Sequence, residues 1–321
     1  MIHTRRVVVT GVGLVSSLGI GTTDNWQALL EGRSGIGPLT RFDTENFPAR
    51  IAGQVPDDFD PGNYLEKKEI KKADSFIHFA LAAAEFAVGD SGVRIDEETG
   101  PRVGVIIGSG IGGLPLIERT HETFLERGPS RISPFFIPAL ISNMAAGQVS
   151  IMYGARGPNS TPCTACTSGL HAVGDAFRQI QLGFADAMLA GGTEGQVSAL
   201  GVGGFCSMKA LSTRNDEPEK ASRPWDKDRD GFVCAEGAGI LVLEELEQAR
   251  ERGATIYAEI VGYGMSGDAY HISAPHPDGD GAARVMQAAL EDAELAPESI
   301  GYINAHGTST SLGDQAEVEA V

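Results

Sequence analysis

Two cysteines, Cys163 and Cys166, stand directly before a stretch, residues 170–182, whose apolar residues recur at helical spacing. The spacing predicts a helix with Leu170, Val173 and Phe177 on one face, and Cys166 at the corner where a strand turns into it. Unpaired amides and the positive end of the helix dipole favour a thiolate there. Such a thiolate can attack a thioester carbonyl. The alternative is that Cys166 is a small buried hydrophobic residue.

The same cysteines form a Cys-X-X-Cys pair, a spacing also found in redox centres and in half of a zinc site. No second pair of Cys or His residues follows at ligand spacing, and the pair does not open the first βαβ unit as it does in thioredoxin-like proteins. The interpretation of Cys166 as a nucleophile is therefore favoured over a redox centre and over a zinc site. We expect neither a metal nor a cofactor, and four cysteines in 321 residues without a signal peptide predict reduced thiols.

A second group of chemically capable residues, 304–310, contains His306 followed by a glycine and three hydroxyl residues. We expect it at the end of a strand over residues 302–305. An imidazole in that position can donate a hydrogen bond to a developing oxyanion, and the small residues leave room for a polar ligand arm. The alternative is a histidine with a structural role.

The elements that must position these residues alternate between short β-branched runs and longer helical patterns, which is typical of parallel α/β architecture. Glycines after the first three runs predict tight turns, and none matches a phosphate-binding or dinucleotide-binding loop. Nucleotide binding is not favoured. The predicted strands are residues 6–10, 103–107, 187–190, 240–243, 256–261 and 302–305.

Composition excludes several classes of partner. The net charge is −18, from 25 Lys and Arg against 43 Asp and Glu, so a nucleic-acid backbone would be repelled. No apolar run approaches the roughly 20 residues needed to span a bilayer, and we expect a cytoplasmic location without membrane partners. Against this acidic background Lys67, Lys68, Lys71 and Lys72 form a basic cluster, either a solvated helix face or a docking patch for an acidic partner.

The chain divides into two halves of unequal length. Residues 255–265 repeat the pattern of residues 5–14, a β-rich run that ends in Gly-X-Gly. We therefore expect an N-terminal half over residues 1–253, which carries the nucleophile, and the start of a similar C-terminal half over residues 254–321. The second half is much shorter than the first and stops within a helical pattern.

With Cys166 and His306 in these settings, the chain resembles the β-ketoacyl-acyl carrier protein synthases, specifically the elongating type II enzymes of bacterial fatty acid synthesis. Several ordered motifs carry the resemblance, and together they are far more specific than any one of them. They are residues 5–11 (RRVVVTG), 108–113 (GSGIGG), 133–136 (SPFF), 165–169 (ACTSG), 201–205 (GVGGF), 222–226 (SRPWD) and 304–310 (NAHGTST).

The resemblance implies a thiolase-like fold of five αβαβα layers built from two similar halves, and a homodimer. It implies that Cys166 takes an acyl chain from acyl carrier protein. Malonyl-carrier protein then loses carbon dioxide, and its carbanion attacks the acyl-enzyme. His306 would be one of two histidines that stabilise the enolate.

The resemblance also implies the binding residues. Thr308, Thr310 and Ser273, which replaces an expected threonine, would hold the pantetheine arm. The acyl pocket would be lined by Ile111 and Phe205, with Phe136 reaching it across the dimer. Positive charge for carrier-protein docking would come from Lys67, Lys68, Lys71 and Lys209.

This sequence departs from the family pattern in two respects. Family members are longer by roughly a quarter, and the second histidine and a gating loop are expected beyond residue 321, so the chain is interpreted as truncated and incomplete as a catalyst. Cys163 is unusual beside the nucleophile, and we expect it to be inert and buried. The alternative functions are a non-catalytic partner subunit similar to a chain-length factor, which Cys166 disfavours, and an inactive fragment.

Overall fold

A computed structural model describes residues 5–321. These residues form two compact units, each described separately below. Unit 1 comprises the chain up to Gly35, Gly53–Gly201 and Ala235–Ile260, and unit 2 comprises Ile36–Ala52, Val202–Cys234 and Val261–Val321. Over the described range, no helix has both the length and the apolar character required to cross a bilayer.

The secondary structure consists of short strands and longer helices, as expected of an α/β protein. The strands are β1 (Val7–Ser16), β2 (Gly19–Ile20), β3 (Gly37–Pro38), β4 (Ile51–Ala52), β5 (Val103–Gly108), β6 (Asn159–Ser160), β7 (Ala187–Glu194), β8 (Gly237–Glu245) and β9 (Ala258–Ile260). The helices are α1 (Thr22–Leu30), α2 (Lys67–Ile70), α3 (Ser75–Ser91), α4 (Leu114–Arg127), α5 (Phe136–Leu140), α6 (Met144–Tyr153), α7 (Ser168–Gln181), α8 (Ala199–Ser207), α9 (Leu246–Glu251), α10 (Asp280–Ala293) and α11 (Ser311–Ala320).

Unit 1 is built on a sheet with the strand order β2-β1-β8-β7-β5-β6, and β9 pairs with β1. Strands β5, β6 and β7 are mutually parallel, whereas β8 runs antiparallel to both of its neighbours, β7 and β1. The sheet is therefore mixed rather than purely parallel. Because β1, β5 and β7 point in the same direction, their carboxyl ends lie at one edge, where α/β sheets bind ligands.

The core of unit 1 lies between this sheet and its helices. Helix α3 packs on β1 and β8, and α7 packs on β5 and β7. The buried side of α3 includes Phe76, Ile77, Phe79 and Leu81. On α7 the buried residues include Phe177 and Ile180, but Leu170, which we predicted on the same face, lies in the first turn of the helix and is 72% exposed.

Of the three glycine groups that predicted tight turns, the one at residues 108–110 follows β5 into a turn, whereas the other two lie within strands. Gly13 is inside β1, and a Cβ atom there would stand 1.9 Å from the backbone oxygen of Ala83 in α3. Gly191 is inside β7, and its Cβ atom would meet the backbone oxygen of Gly239 at the same distance. These glycines therefore allow a helix or a neighbouring strand to approach closely, and they do not reverse the chain.

Five of the six predicted strands are confirmed, at β1, β5, β7, β8 and β9. The sixth, over residues 302–305, is wrong, because the described residues 301–310 contain no strand. Two N–H groups that follow this segment, those of His306 and Gly307, donate to a side-chain carboxylate rather than to a neighbouring strand. An apolar run with β-branched residues was not sufficient to form a ladder here.

Unit 2 contains the short hairpin of β3 and β4 together with helices α10 and α11. Gly262 and Gly264 lie against α10, where Cβ atoms would stand 2.4 and 2.3 Å from the backbone oxygens of Ala289 and Val285. Helix α11 begins at a capped end, because the hydroxyl of Thr310 accepts a hydrogen bond from the N–H group of Gly313. The polar stretch over residues 213–229, predicted as a surface loop, is irregular except for one 3-10 turn at Pro218–Lys220.

The close contact at Gly13 predicts a strong effect of a single methyl group. Gly13→Ala should lower the free energy of unfolding by about 3 kcal/mol, at the upper end of overpacking costs, because a backbone oxygen cannot rotate away. Gly89→Ala is the control, since Gly89 is an exposed residue of α3 with no atom within 4 Å of the added Cβ. It should gain about 0.5–1 kcal/mol from helix propensity. Urea unfolding of both variants measures the difference, and equal effects would contradict the packing argument.

Candidate active site

Cys166 lies where the sequence predicted it, at the entry to a helix. It is the middle residue of a 3-10 turn, Ala165–Thr167, which continues directly into α7. Its side chain is exposed, so the interpretation as a buried hydrophobic residue is wrong. Ala165, directly before it, has a φ of 54°, a left-handed conformation that costs energy for a residue with a side chain and that occurs often at functional sites.

Two glycines bring the start of α7 onto the ends of β5 and β7. A Cβ atom at Gly108, the last residue of β5, would stand 2.2 Å from the backbone oxygen of Ser168. One at Gly192 in β7 would stand 3.0 Å from the Cα atom of Gly169. Backbone therefore packs on backbone at this corner. The hydroxyl of Ser168 also holds the turn that carries Cys166, because it accepts from the N–H group of Thr164 at 2.9 Å and donates to the backbone oxygen of Ala165 at 2.7 Å.

A cleft of about 420 Å³ opens at this corner. Cys166 lines it together with the carboxyl ends of β1, β5 and β7 and the start of β8. The nucleophile candidate therefore lies at the edge of the sheet where ligands bind in α/β folds.

One further residue of this cleft, Glu194, was not predicted from the sequence. It ends β7, and its carboxylate accepts hydrogen bonds from the backbone N–H groups of Gly110, Ile111 and Gly112, at 2.8, 3.1 and 3.2 Å. The hydroxyl of Ser109 donates a fourth, at 3.1 Å. Burial raises the pKa of Glu194 above its usual range, although each of these hydrogen bonds acts to lower it. The sequence signal for Glu194 was an acidic residue at the end of a buried strand that contains Gly191 and Gly192.

A second cleft, of about 370 Å³, lies on the other side of the turn formed by residues 109–112. Its lining includes Ile111, Leu140, Asn143 and Cys163. Cys163 is exposed, with its sulfur 3.5 Å from the backbone oxygen of Gly110, so the expectation that it is buried is wrong. Its side chain therefore lines this cleft instead of packing in the core.

The loop that carries His306, in unit 2, is held by carboxylates of α11. Glu317 accepts hydrogen bonds from the backbone N–H groups of His306 and Gly307, at 2.5 and 2.8 Å. Asp314, which is completely buried, accepts one from the N–H group of Ser309, at 3.0 Å. Ser309 has a φ of 66°, so the loop is held in a conformation that the isolated chain would disfavour.

Asp314 also joins two of the motifs that the sequence singled out. Its carboxylate accepts from the N–H group of Trp225, at 2.8 Å, and pairs with the guanidinium of Arg229, at 3.1 Å. Arg229 donates in turn to the backbone oxygen of Thr310. The segments 222–226 and 304–310 therefore form one hydrogen-bonded cluster. The hydroxyl oxygens of Thr308 and Thr310 lie 2.9 Å apart within it.

Comparison with known families decides the class to which this arrangement belongs. Residues 4–249 match the model of the β-ketoacyl synthase N-terminal domain, and residues 257–321 match the model of the β-ketoacyl synthase C-terminal domain. The chain belongs to the β-ketoacyl synthase family.

Curated relatives and solved structures agree with this assignment. The 3-oxoacyl-acyl-carrier-protein synthase 2 of Coxiella burnetii is 57% identical over 317 residues, which cover 99% of this chain and 76% of that relative. The enzyme of the same name from Staphylococcus aureus (strain COL) is 50% identical, over 100% of this chain and 77% of that relative. The predicted family and the enzyme class, a condensing acyltransferase, are confirmed.

The structural neighbours confirm the predicted thiolase-like α/β fold. The crystal structure of a β-ketoacyl synthase from Burkholderia phymatum STM815 matches with a TM-score of 0.90 and 39% identity, over 98% of this chain and 77% of that chain. A type II polyketide ketosynthase, solved with its acyl-carrier protein and bound to a hexaketide, matches with a TM-score of 0.88 and 36% identity, over 99% and 77% of the two chains.

Three further residues predicted for the site of this β-ketoacyl synthase family member, Phe136, Phe205 and Ser273, lie on different segments of the chain. Phe136 begins α5 and is half-buried. Phe205 lies in α8, with its ring 5.2 Å from that of Phe232 and edge-on to it. Ser273 is exposed in an irregular segment, where its N–H group donates to the ring of His271.

The predicted docking lysines are exposed on two elements. Lys67 and Lys68 begin the short helix α2, and Lys71 follows its end. Lys68 pairs with Glu66 at 2.8 Å, whereas the described contacts give no ion pair for Lys67 or Lys71. Lys209 lies in unit 2, directly after α8. Net positive charge on the α2 surface therefore comes mainly from Lys67 and Lys71.

Proposed function

We propose that the chain catalyses the decarboxylative Claisen condensation of fatty acid elongation, in which an acyl group is joined to a malonyl unit carried by acyl carrier protein. The observation that carries this proposal is the exposed thiol of Cys166 at the start of α7, in a cleft at the carboxyl edge of the sheet. The family match and relatives named 3-oxoacyl-acyl-carrier-protein synthase 2 support the same reaction.

Cys166 acts as the nucleophile of the first half-reaction. The positive end of the α7 dipole, next to Cys166, favours the thiolate over the thiol. Its sulfur forms a bond to the carbonyl carbon of the acyl thioester, the bond to the sulfur of the carrier protein's pantetheine arm breaks, and the arm leaves as a thiolate that takes up a proton from water. The product is an acyl group on Cys166.

His306 acts in the second half-reaction. The carboxylate carbon of the malonyl group leaves as carbon dioxide, and the electron pair remains as an enolate that attacks the acyl carbon. The bond between that carbon and the sulfur of Cys166 then breaks and regenerates the thiolate. A hydrogen bond from the imidazole of His306 to the enolate oxygen would lower this barrier. The approach of His306, in unit 2, to Cys166, in unit 1, stays a prediction.

The other predicted residues bind the two substrates. The paired hydroxyls of Thr308 and Thr310 are suited to hydrogen bonds with the amides of a pantetheine arm, and Ser273 is assigned to the same role. Ile111 and Phe205 are assigned to the acyl pocket. For Ile111 the cleft of about 370 Å³ supports this assignment, because Ile111, Leu140 and Ile141 form its apolar side, although Ser142, Asn143 and Thr161 also line it.

The active form is proposed to be a homodimer in which Phe136 of one copy reaches the acyl pocket of the other. Strand β6 forms one end of the sheet, and both of its residues are exposed. Unpaired edge strands and grouped apolar side chains are typical of surfaces covered by a partner. The large apolar residues exposed on α4 to α6 and the intervening turn are Ile117, Phe124, Leu125, Ile132, Phe135, Ile137, Ile141, Ile151 and Met152.

The nucleophile assignment predicts a single acylation site. Incubation with an acyl-carrier-protein thioester should add the mass of one acyl group to Cys166, and Cys166→Ala should abolish both the adduct and condensation. Cys163→Ala, the matched control three residues away, should keep the adduct. Peptide mass spectrometry identifies the acylated residue. An adduct retained in Cys166→Ala would refute the assignment, and condensation retained only beside a second synthase subunit would favour the chain-length-factor function.

The docking assignment predicts a selective effect of charge reversal on α2. Lys67→Glu/Lys71→Glu should raise the KM for acyl-carrier-protein substrates about tenfold, which corresponds to about 1.4 kcal/mol. The KM for a small acyl-thioester mimic should stay unchanged, because the mimic lacks the acidic protein surface. The control Lys220→Glu/Lys227→Glu makes the same charge change at two other exposed lysines. Steady-state kinetics measure the KM for both substrates, and an equal rise in KM for the carrier-protein substrate and the small mimic would rule out docking.

The dimer predicts that a charge on α6 disrupts association. Ile151→Glu should convert the dimer to a monomer at micromolar concentration, because a 72% exposed apolar side chain beside the edge strand would be replaced by a charge that the partner cannot solvate. Leu29→Glu on α1, at a residue that is 56% exposed, is the control and should remain dimeric. Sedimentation velocity measures both. A monomeric wild-type protein, or a dimeric Ile151→Glu variant, would contradict this interface.

A further inference from the structure

The turn over residues 109–112 separates two clefts, and one carboxylate holds it. On one side, Glu194 and Cys166 line the cleft at the sheet edge. On the other, the side chain of Ile111 lines the cleft that also contains Leu140. The N–H group of Ile111 donates to Glu194, so the backbone of this residue is fixed from the first cleft while its side chain faces the second.

Apart from the contacts of the Ser109 hydroxyl, the other polar contacts of this turn lie at its ends or on its carbonyl groups. The N–H group of Ser109 donates to the backbone oxygen of Pro162 at 3.3 Å, that of Gly113 donates to Leu140 at 2.9 Å, and the sulfur of Cys163 lies 3.5 Å from the backbone oxygen of Gly110. The hydroxyl of Ser109 accepts from the N–H group of Gly112 at 3.1 Å, but the same hydroxyl also donates to Glu194. Gly110 and Gly112 have no side chains, and Gly112 adopts a φ of 73°. Ile111 is 40% exposed, so packing holds its side chain only in part. Removal of the carboxylate would therefore leave the N–H groups of Gly110 and Ile111 without their acceptor, and that of Gly112 with the hydroxyl of Ser109 alone.

We propose that Glu194 is a positioning residue for acyl-chain binding, which acts by fixing the 109–112 turn and through it the side chain of Ile111. This inference rests on the proposed function, since it takes Ile111 as part of the acyl pocket. Glu194 makes no contact with the reacting atoms in this assignment. Its effect should grow with the length of the acyl chain, because a longer chain makes more contact with the wall that Ile111 forms.

Glu194→Gln tests this proposal with little change in shape. An amide keeps one acceptor oxygen and places an NH₂ group against the donors that met the second oxygen. The variant should lower kcat/KM for acylation of Cys166 by a dodecanoyl thioester about tenfold, and by less than twofold for an acetyl thioester. Alkylation of Cys166 by iodoacetamide should proceed at the wild-type rate. Equal losses for the two thioesters would overturn the proposal.

A double-mutant cycle separates positioning from a general structural effect. If Glu194 acts through Ile111, the tenfold effect on dodecanoyl transfer should fall to twofold or less in an Ile111→Ala background, because the side chain being positioned is gone. A merely structural role would leave the two effects additive. Additive losses therefore count against the proposal.

Amide hydrogen exchange tests the physical step without any activity. Exchange at Gly110, Ile111 and Gly112 should become at least tenfold faster in Glu194→Gln than in the wild-type protein. Asp96→Asn is the matched control, because Asp96 also accepts two backbone N–H groups, in a separate loop of unit 1, and it should leave the 109–112 amides unchanged. Unchanged exchange in Glu194→Gln would refute the positioning role, whereas a wild-type protein that no thioester acylates would refute the proposed function instead.

Discussion

The active-site region depends on the direct contact of backbone with backbone where α7 begins. Gly108 and Gly192 allow the start of the helix to lie on the ends of β5 and β7, at distances that a Cβ atom would forbid. The 3-10 turn that carries Cys166 begins at this contact, and Ala165 within it adopts a left-handed conformation. The candidate nucleophile is therefore supported by the central sheet of unit 1.

In both units, a carboxylate accepts hydrogen bonds from successive backbone N–H groups of a loop. Glu194 holds the turn beside Cys166, and Glu317 holds the N–H groups of His306 and the next residue. Glycine-rich loops have few side chains with which to pack, so hydrogen bonds must supply their rigidity. Each unit thus fixes its chemically capable loop with a negative charge, which an acidic chain can provide.

Sequence reasoning was most successful where one local signal determined the outcome. The apolar period of residues 170–182 and the preceding cysteine were enough to place Cys166 at a helix start. It failed where distant groups decide the outcome: residues 302–305 form no strand although their composition favours one, and Cys163 is exposed at a cleft that Ile111 and Leu140 also line. The sequence marks Glu194 only as an acidic residue at the end of a buried strand, because its four donors lie more than 80 residues earlier.

The cleft beside Cys166 contains two groups that can carry a negative charge, the thiol of Cys166 and the carboxyl group of Glu194. Hydrogen bonds to Glu194 determine how its charge affects the thiol. A carboxylate near a thiolate would ordinarily oppose its formation. At Glu194, however, four donors face the carboxylate and share its charge, although burial still raises its pKa. The N–H groups of the 109–112 turn are engaged by Glu194, so the proposed thiolate of Cys166 depends on the dipole at the start of α7. One cleft can therefore contain a hydrogen-bonded carboxylate and a nucleophilic sulfur, because each has its own source of positive potential.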